Sequence, residues 1–185
     1  SSVLERNGIE QGKRHYVGDF NEFIKNNGSA LVKGIWRIIN KTADLLGVNI
    51  KIISDEDYFS KYPKDTNGAF RNGNIVIRSG IFADPKRAAY ILTHEVTHGT
   101  TSHIIDAVKN GNKEVLSKLT DKQIKAAQDL SKLFDRIKNR KDLKGQYGIE
   151  DEHEFLSELS NPEFAGKLKG KDKGIIERIL DLVMG

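Results

Sequence analysis

The chain has 185 residues, with 30 Lys and Arg against 26 Asp and Glu, a formal net charge of +4 and no cysteine. That length suits one domain with a core that needs no external staples, and the missing cysteines exclude disulfides, thiolate metal sites and a cysteine nucleophile, leaving His and carboxylates to hold any metal. The lysines alternate with acids along amphipathic segments, which favours a solvated helical surface over a nucleic-acid patch, and no apolar run approaches the roughly 20 residues of a membrane span.

In chain order, Ser1 to Arg14 is polar, rich in charge and glycine, and without a sustained period. It reads as a flexible arm preceding a domain over residues 15–185. It lacks the basic-then-apolar layout of a signal peptide, although export within a longer precursor stays open. A short helix is expected from about Asp19. Ser29 then caps a stronger one, in which Leu31, Ile35, Ile38, Ile39, Thr42, Leu45 and Leu46 recur at helical spacing and Gly47 stops it. Trp36 lies near the edge of that stripe as a packing residue. Val48 to Ile53 alternates and is β-branched, so it reads as the first strand, followed by an acidic turn and Pro63. Gly68 to Arg78 holds two strand-like runs separated by Asn72-Gly73, the pair that favours a type I′ hairpin. Its second strand is ordinarily structural. On a sheet edge facing a cleft, the backbone of Ile75, Val76 and Ile77 could instead pair with an extended peptide.

Asp84-Pro85 is a helix start, N-cap then first turn. The helix carries Tyr90-Ile-Leu-Thr-His94-Glu95-Val-Thr-His98-Gly. His94 and His98 are four residues apart, so their imidazoles leave one face and can grip a single ion, with Glu95 beside them within reach of an activated water. Ala89, Leu92, Val96 and Gly99 make a buried face, while Ile91, His94, His98 and Ser102 run along a neighbouring face toward a cleft. The metzincin pattern fails, because Thr101 and Ile104 stand where it needs Gly and His. His103 reads as a surface residue.

Thr120-Asp-Lys-Gln123 is a capping box for a packing helix with Ile124, Ala127, Leu130, Leu133, Phe134 and Ile137. A charged linker, Lys138 to Lys144, follows. The second informative stretch is Tyr147-Gly-Ile-Glu150-Asp-Glu-His153-Glu154-Phe155-Leu-Ser157-Glu158. Catalytic zinc takes three protein ligands and keeps a fourth position open, so two histidines leave one to be found. Glu154 and Glu158 share a face of what should be a helix ending at Asn161-Pro162. One can bind the metal while the other holds a ligand imidazole by its second nitrogen. The plainer reading of Glu150 to Glu154, a first turn answering its own helix dipole, loses ground beside the His94 and His98 pair. Lys171 to Met184 reads as an ordinary amphipathic helix.

The His-Glu-x-x-His run followed about 55 residues later by Glu-Phe-x-x-Glu resembles the gluzincin metallopeptidases. The closer likeness is to the anthrax lethal factor type and to peptidase-like domains of large phage and mobile-element polyproteins, the polyvalent-protein-associated kind, in which a tyrosine precedes that glutamate by seven residues, as Tyr147 precedes Glu154. Ser160-Asn-Pro-Glu-Phe164 looks like the phage-associated form, whereas Ser157 replaces a commoner alanine. The likeness runs from roughly Asn67 to Phe164. It implies that His94, His98 and Glu154 hold Zn2+, that Glu95 is the general base, that Tyr147 donates to the oxyanion, that Glu158 supports a ligand imidazole, and that Ile75 to Ile77 form the substrate-side edge strand.

The reading is an α+β, zincin-like metallopeptidase fold: a small twisted sheet over an active-site helix, with a mostly helical C-terminal half. The function expected is zinc-dependent endopeptidase activity on a polypeptide substrate, by a monomer with no nucleic-acid or membrane partner. The alternative is a non-catalytic, metal-stabilised module of a phage or secreted assembly, and Glu95, which such a module does not need, separates the two. A phage virion, a host cytoplasm and secretion within a larger polyprotein all fit as settings.

Overall fold

The computed structural model describes residues 2–137. Contacts divide the chain into two compact units that meet between Thr100 and Thr101. In the first unit a short helix α1 (Val3–Arg6) leads to strand β1 (Arg14–Tyr16). A 3-10 turn (Val17–Phe20) then precedes α2 (Asn21–Asn27) and α3 (Ala30–Leu45). Strand β2 (Asn49–Ile53), helix α4 (Asp55–Lys61) and the hairpin β3 (Gly68–Arg71) and β4 (Asn74–Arg78) follow. A second 3-10 turn (Ser79–Ala83) delivers the chain to α5 (Pro85–Asn110). The architecture is mixed α and β around one four-stranded open sheet of order β1-β2-β4-β3, with β2 and β4 parallel and the two outer pairings antiparallel. Among the described residues no helix is long and apolar enough to cross a membrane.

Residues 2–14 are not the free arm that their composition suggests. Leu4 and Ile9 are buried, the Gly12 N–H donates to the Ile52 carbonyl at 2.8 Å, and Arg14 to Tyr16 pair with Asn49 to Lys51. Two apolar residues and a three-residue ladder suffice to hold a segment whose polar majority hides them. The acidic stretch after β2 is likewise a helix, because Ser54 accepts from the Asp57 N–H at 3.1 Å and the acids of the first turn answer its dipole.

Helix α3 starts and stops where its caps predict, with Ser29 accepting from the Val32 N–H and Gly47 at φ 73°. Its buried face is turned by about one residue. Val32, Trp36, Ile39, Ala43 and Leu46 point inward, whereas Leu31, Ile38 and Leu45 are exposed. Trp36 decides this: its ring is the largest apolar group on the helix, and its Nε1 donates to Asn21 Oδ1 at 2.8 Å, which fixes the indole against α2.

The hairpin forms at Asn72-Gly73, with φ of 52° and 80° as a type I′ turn requires. One face of the sheet, carrying Ile50, Ile52, Ile75 and Ile77, is fully buried. Ala89, Leu92 and Val96 of α5 are fully buried as expected, and Asp84 caps that helix by accepting from the Arg87 N–H at 3.2 Å. A Cβ built on Gly99 would stand 2.9 Å from Ile75 Cδ1 and 3.0 Å from its Cγ1, so helix and sheet approach there as closely as a bare Cα permits.

In the second unit, the remainder of α5 is followed by α6 (Lys113–Leu116) and α7 (Asp121–Ile137). The capping box is present: Gln123 N–H donates to Thr120 Oγ1 at 3.1 Å and Thr120 N–H to Gln123 Oε1 at 3.0 Å. Ala127 is buried. The side chains of Leu130, Leu133, Phe134 and Ile137 lie outside the described residues, as does everything expected from Lys138 onward. His103 is half-buried instead of lying on the surface, and burial holds its pKa below the ordinary 6.5.

Two identical substitutions on two helices should therefore act in opposite directions. Gly34 of α3 has nothing near a built Cβ, so Gly34→Ala should stabilise by about 1 kcal/mol through helix propensity. Gly99→Ala gains the same propensity but meets a fully buried Ile75, and overpacking of about 1 to 3 kcal/mol should leave it destabilised. Urea unfolding of both variants checks the sign.

Candidate active site

The site is assembled by one helix and one hairpin within the first unit. Spacing on α5 puts His94 and His98 on successive turns, with ring centroids 6.3 Å apart and planes inclined at 73°. Each ring has an aromatic neighbour. Phe70 of β3 meets His98 edge-on at 4.5 Å, and Tyr90, one turn earlier on α5, stacks on His94 at 6.2 Å and 29°. His98 is only 4% exposed, and Ile91 is 7% exposed, so the face read as a cleft wall is more enclosed than an open stripe; His94 and Glu95 are half-buried.

Glu95 is aimed at the start of β3. A Cβ on Gly68 would lie 2.8 Å from Glu95 Cδ and 2.9 Å from Oε2. Gly68 is thus the position at which the carboxylate rests against bare backbone, and a larger residue there would push the Glu95 side chain aside. The segment that delivers Gly68 is tied down twice. Arg78 donates through Nε to Asn67 Oδ1 at 3.0 Å and forms a 2.7 Å ion pair with Asp55. The Tyr58 hydroxyl lies 2.7 Å from Thr66 Oγ1, which itself donates to the Pro63 carbonyl at 2.8 Å. Tyr58 is fully buried. That burial raises its pKa, the Thr66 bond opposes the rise, and the nearby Glu95 carboxylate adds to it.

The edge-strand assignment needs correction. Ile75, Val76 and Ile77 lie on β4, which is paired on both sides, with Lys51 and its neighbours on one and Gly68 to Arg71 on the other. The parallel partner β2, distant in sequence, takes the side that the hairpin alone leaves open. The terminal strand on this side of the sheet is β3, and it is β3 that begins at Glu95.

Among the described residues no group of three or more His, Asp or Glu gathers as a metal site. A catalytic zinc takes three protein donors, of which the two imidazoles would be two. With Zn–N of about 2.0 to 2.1 Å in tetrahedral geometry, such rings have centroids roughly 5 Å apart, so the observed 6.3 Å requires an inward shift of about 1 Å. Glu154, Glu158, Tyr147 and His153 lie outside the described residues.

Sequence reading missed Gly68, Phe70, Tyr58 and Tyr90. Tyr90 stands four residues before His94 on the same helix and was legible from spacing; the other three come from segments whose approach to α5 depends on long-range pairing. Compared with protein-family models, curated proteins and solved structures, the chain matches none.

Removing the Tyr58 hydroxyl tests how the approach to Gly68 is held. Tyr58→Phe should cost about 1 kcal/mol at neutral pH for one lost bond. The folded pKa is raised, so wild-type stability is intact below the unfolded value of 10.0 and declines as pH rises above it, when the unfolded chain gives up a proton that the folded one keeps. Urea unfolding from about pH 8 to about pH 11 should show a shallower alkaline loss in the variant.

Proposed function

We propose that this chain is a zinc-dependent endopeptidase with a zincin-like arrangement of helix and edge strand. The observation that carries the reading is the seat of Glu95: its carboxylate rests on Gly68, where the terminal strand of the sheet begins, one residue after His94 on the helix that also bears His98. A metal retained only for stability has no use for a carboxylate at that place. A base that must serve a peptide lying along the sheet belongs there.

On this proposal His94, His98 and, from beyond the described residues, Glu154 hold the zinc, and Glu158 fixes a ligand imidazole through its second nitrogen. Zinc bound in this way supplies a lowered water pKa near neutrality and polarises a carbonyl. The chain's own residues do the rest. Strand β3 aligns the substrate backbone beside Gly68, which sets the scissile amide within reach of Glu95. Glu95 accepts the proton of the attacking water and passes it to the leaving amine. Phe70 and Tyr90 flank the imidazoles and limit their freedom to turn. Tyr147 donates its hydroxyl to the developing oxyanion, a contact of the kind whose loss costs about 3 kcal/mol of barrier.

The second reading, a metal-stabilised binding module, shares the histidines and differs at Glu95. Glu95→Gln keeps the shape, so zinc content should stay near that of the wild type while cleavage of a peptide library falls by about 100-fold or more. Undiminished cleavage would remove Glu95 from the chemistry, and a wild-type chain that binds zinc but cleaves nothing would favour the module. Glu154→Ala should lose the metal, whereas Glu158→Ala should weaken retention by roughly 10 to 100-fold. Full occupancy in Glu154→Ala by elemental analysis would exclude it as the ligand.

A further inference from the structure

The face of the sheet turned away from the buried isoleucines carries a groove of about 590 Å³ beside β3. Alternation along the strands puts Ala69, Arg71, Asn74 and Val76 on that face. Ala69 and Val76 form its floor, and its polar rim is Tyr62, Arg71, Asn72 and Asn74. These groups offer donors. Asn74 spends its oxygen on Asn49, whose Nδ2 donates at 2.7 Å, which leaves the Asn74 NH2 to face a ligand; Arg71 is exposed, and no described carboxylate pairs with its guanidinium. The four strands contain no Asp or Glu at all. On the same face Arg14 lies directly across from Lys51, a like-charge pair of the kind that disfavours pairing, and among the described residues no carboxylate is paired with either. Arg78 is paired with an acid, Asp55.

We infer that this groove reads an acidic side chain of an extended peptide, through Arg71 and Asn74, at a position about three residues from the bond cleaved. The register follows from the hairpin. A two-residue turn makes Arg71 and Asn74 a hydrogen-bonded pair, and alternation makes Ala69 and Val76 another. The backbone groups of Ala69 and Arg71 are therefore spent on β4, and an antiparallel strand added to β3 meets these two residues at its non-hydrogen-bonded positions, where cross-strand side chains come closest. The peptide residue beside Arg71 is three removed from the one beside Gly68, where Glu95 rests. A carboxylate there accepts the Arg71 fork and the Asn74 amide, whereas a lysine brings like charge against Arg71 and a face already bearing Lys51 and Arg14. The position relative to the bond rests on the hydrolase proposal; the affinity of the groove for a carboxylate does not.

The test uses the full chain as Glu95→Gln, to prevent turnover, and fluorescence anisotropy with extended peptides that differ only in carrying Glu, Gln or Lys at one position, moved along the sequence. The Glu peptide should bind about 10-fold tighter than the Gln peptide at a single register. Arg71→Lys should keep a reduced preference, Arg71→Ala should abolish it, and Arg71→Glu should invert it toward Lys, with the circular dichroism spectrum unchanged. Equal binding of Glu and Gln peptides at every register, a preference indifferent to Arg71→Glu, or no peptide binding at all overturns the inference. Cleavage by the wild type without an acidic preference overturns it while leaving the hydrolase standing, and Arg71-dependent binding without cleavage by the wild type does the reverse.

Discussion

The structure of the first unit depends on how closely α5 can lie against the β3-β4 hairpin. Two glycines set that distance: Gly99 on the helix, which accepts Ile75 in the space of a missing Cβ, and Gly68 on the strand, which accepts Glu95 in the same way. One contact is apolar and the other polar, and they grip opposite partners. The first bears on how high the helix lies above the sheet, and the second on where the Glu95 side chain comes to rest. A helix turned by one residue would carry Glu95 away from the edge strand and expose part of the Ala89, Leu92 and Val96 face, whose burial is worth on the order of 1 to 3 kcal/mol per larger side chain.

The groups behind the hairpin support that placement. Arg78, on β4, bonds the loop before β3 through Nε and helix α4 through Nη1. Tyr58 holds the same loop with one hydroxyl. These are tertiary anchors for the loop that contains Pro63 and leads into Gly68, which has little local structure of its own. They also explain why backbone, instead of a side chain, meets the Glu95 carboxylate at Gly68.

Much of this was legible in the sequence where local chemistry decides the outcome. The Asp84-Pro85 start, the Asn72-Gly73 turn, the Ser29 and Thr120 caps and the shared face of His94 and His98 all rest on interactions within a few residues. What escaped was set at long range. Whether β4 or β3 ends the sheet depends on β2, more than twenty residues upstream, choosing β4 as its parallel partner, and no property of Ile75 to Ile77 foretells it. The inward turn of Trp36 depends on Asn21, and the anchoring of Leu4 and Ile9 is hidden by the polar residues around them. The candidate site shows the same division: its helix residues were readable, and its strand residues, Gly68 and Phe70, were not.

The central claim is that His94 and His98 share one zinc ion beside Glu95. The most direct measurement is anomalous scattering at the zinc edge from crystals of the full chain grown with zinc. The account predicts a single strong peak about 2.0 to 2.1 Å from one nitrogen of each imidazole, with a Glu95 oxygen near it but outside bonding distance. A peak elsewhere on the molecule with none between these two rings, or a zinc bound by Glu95 itself, would contradict it.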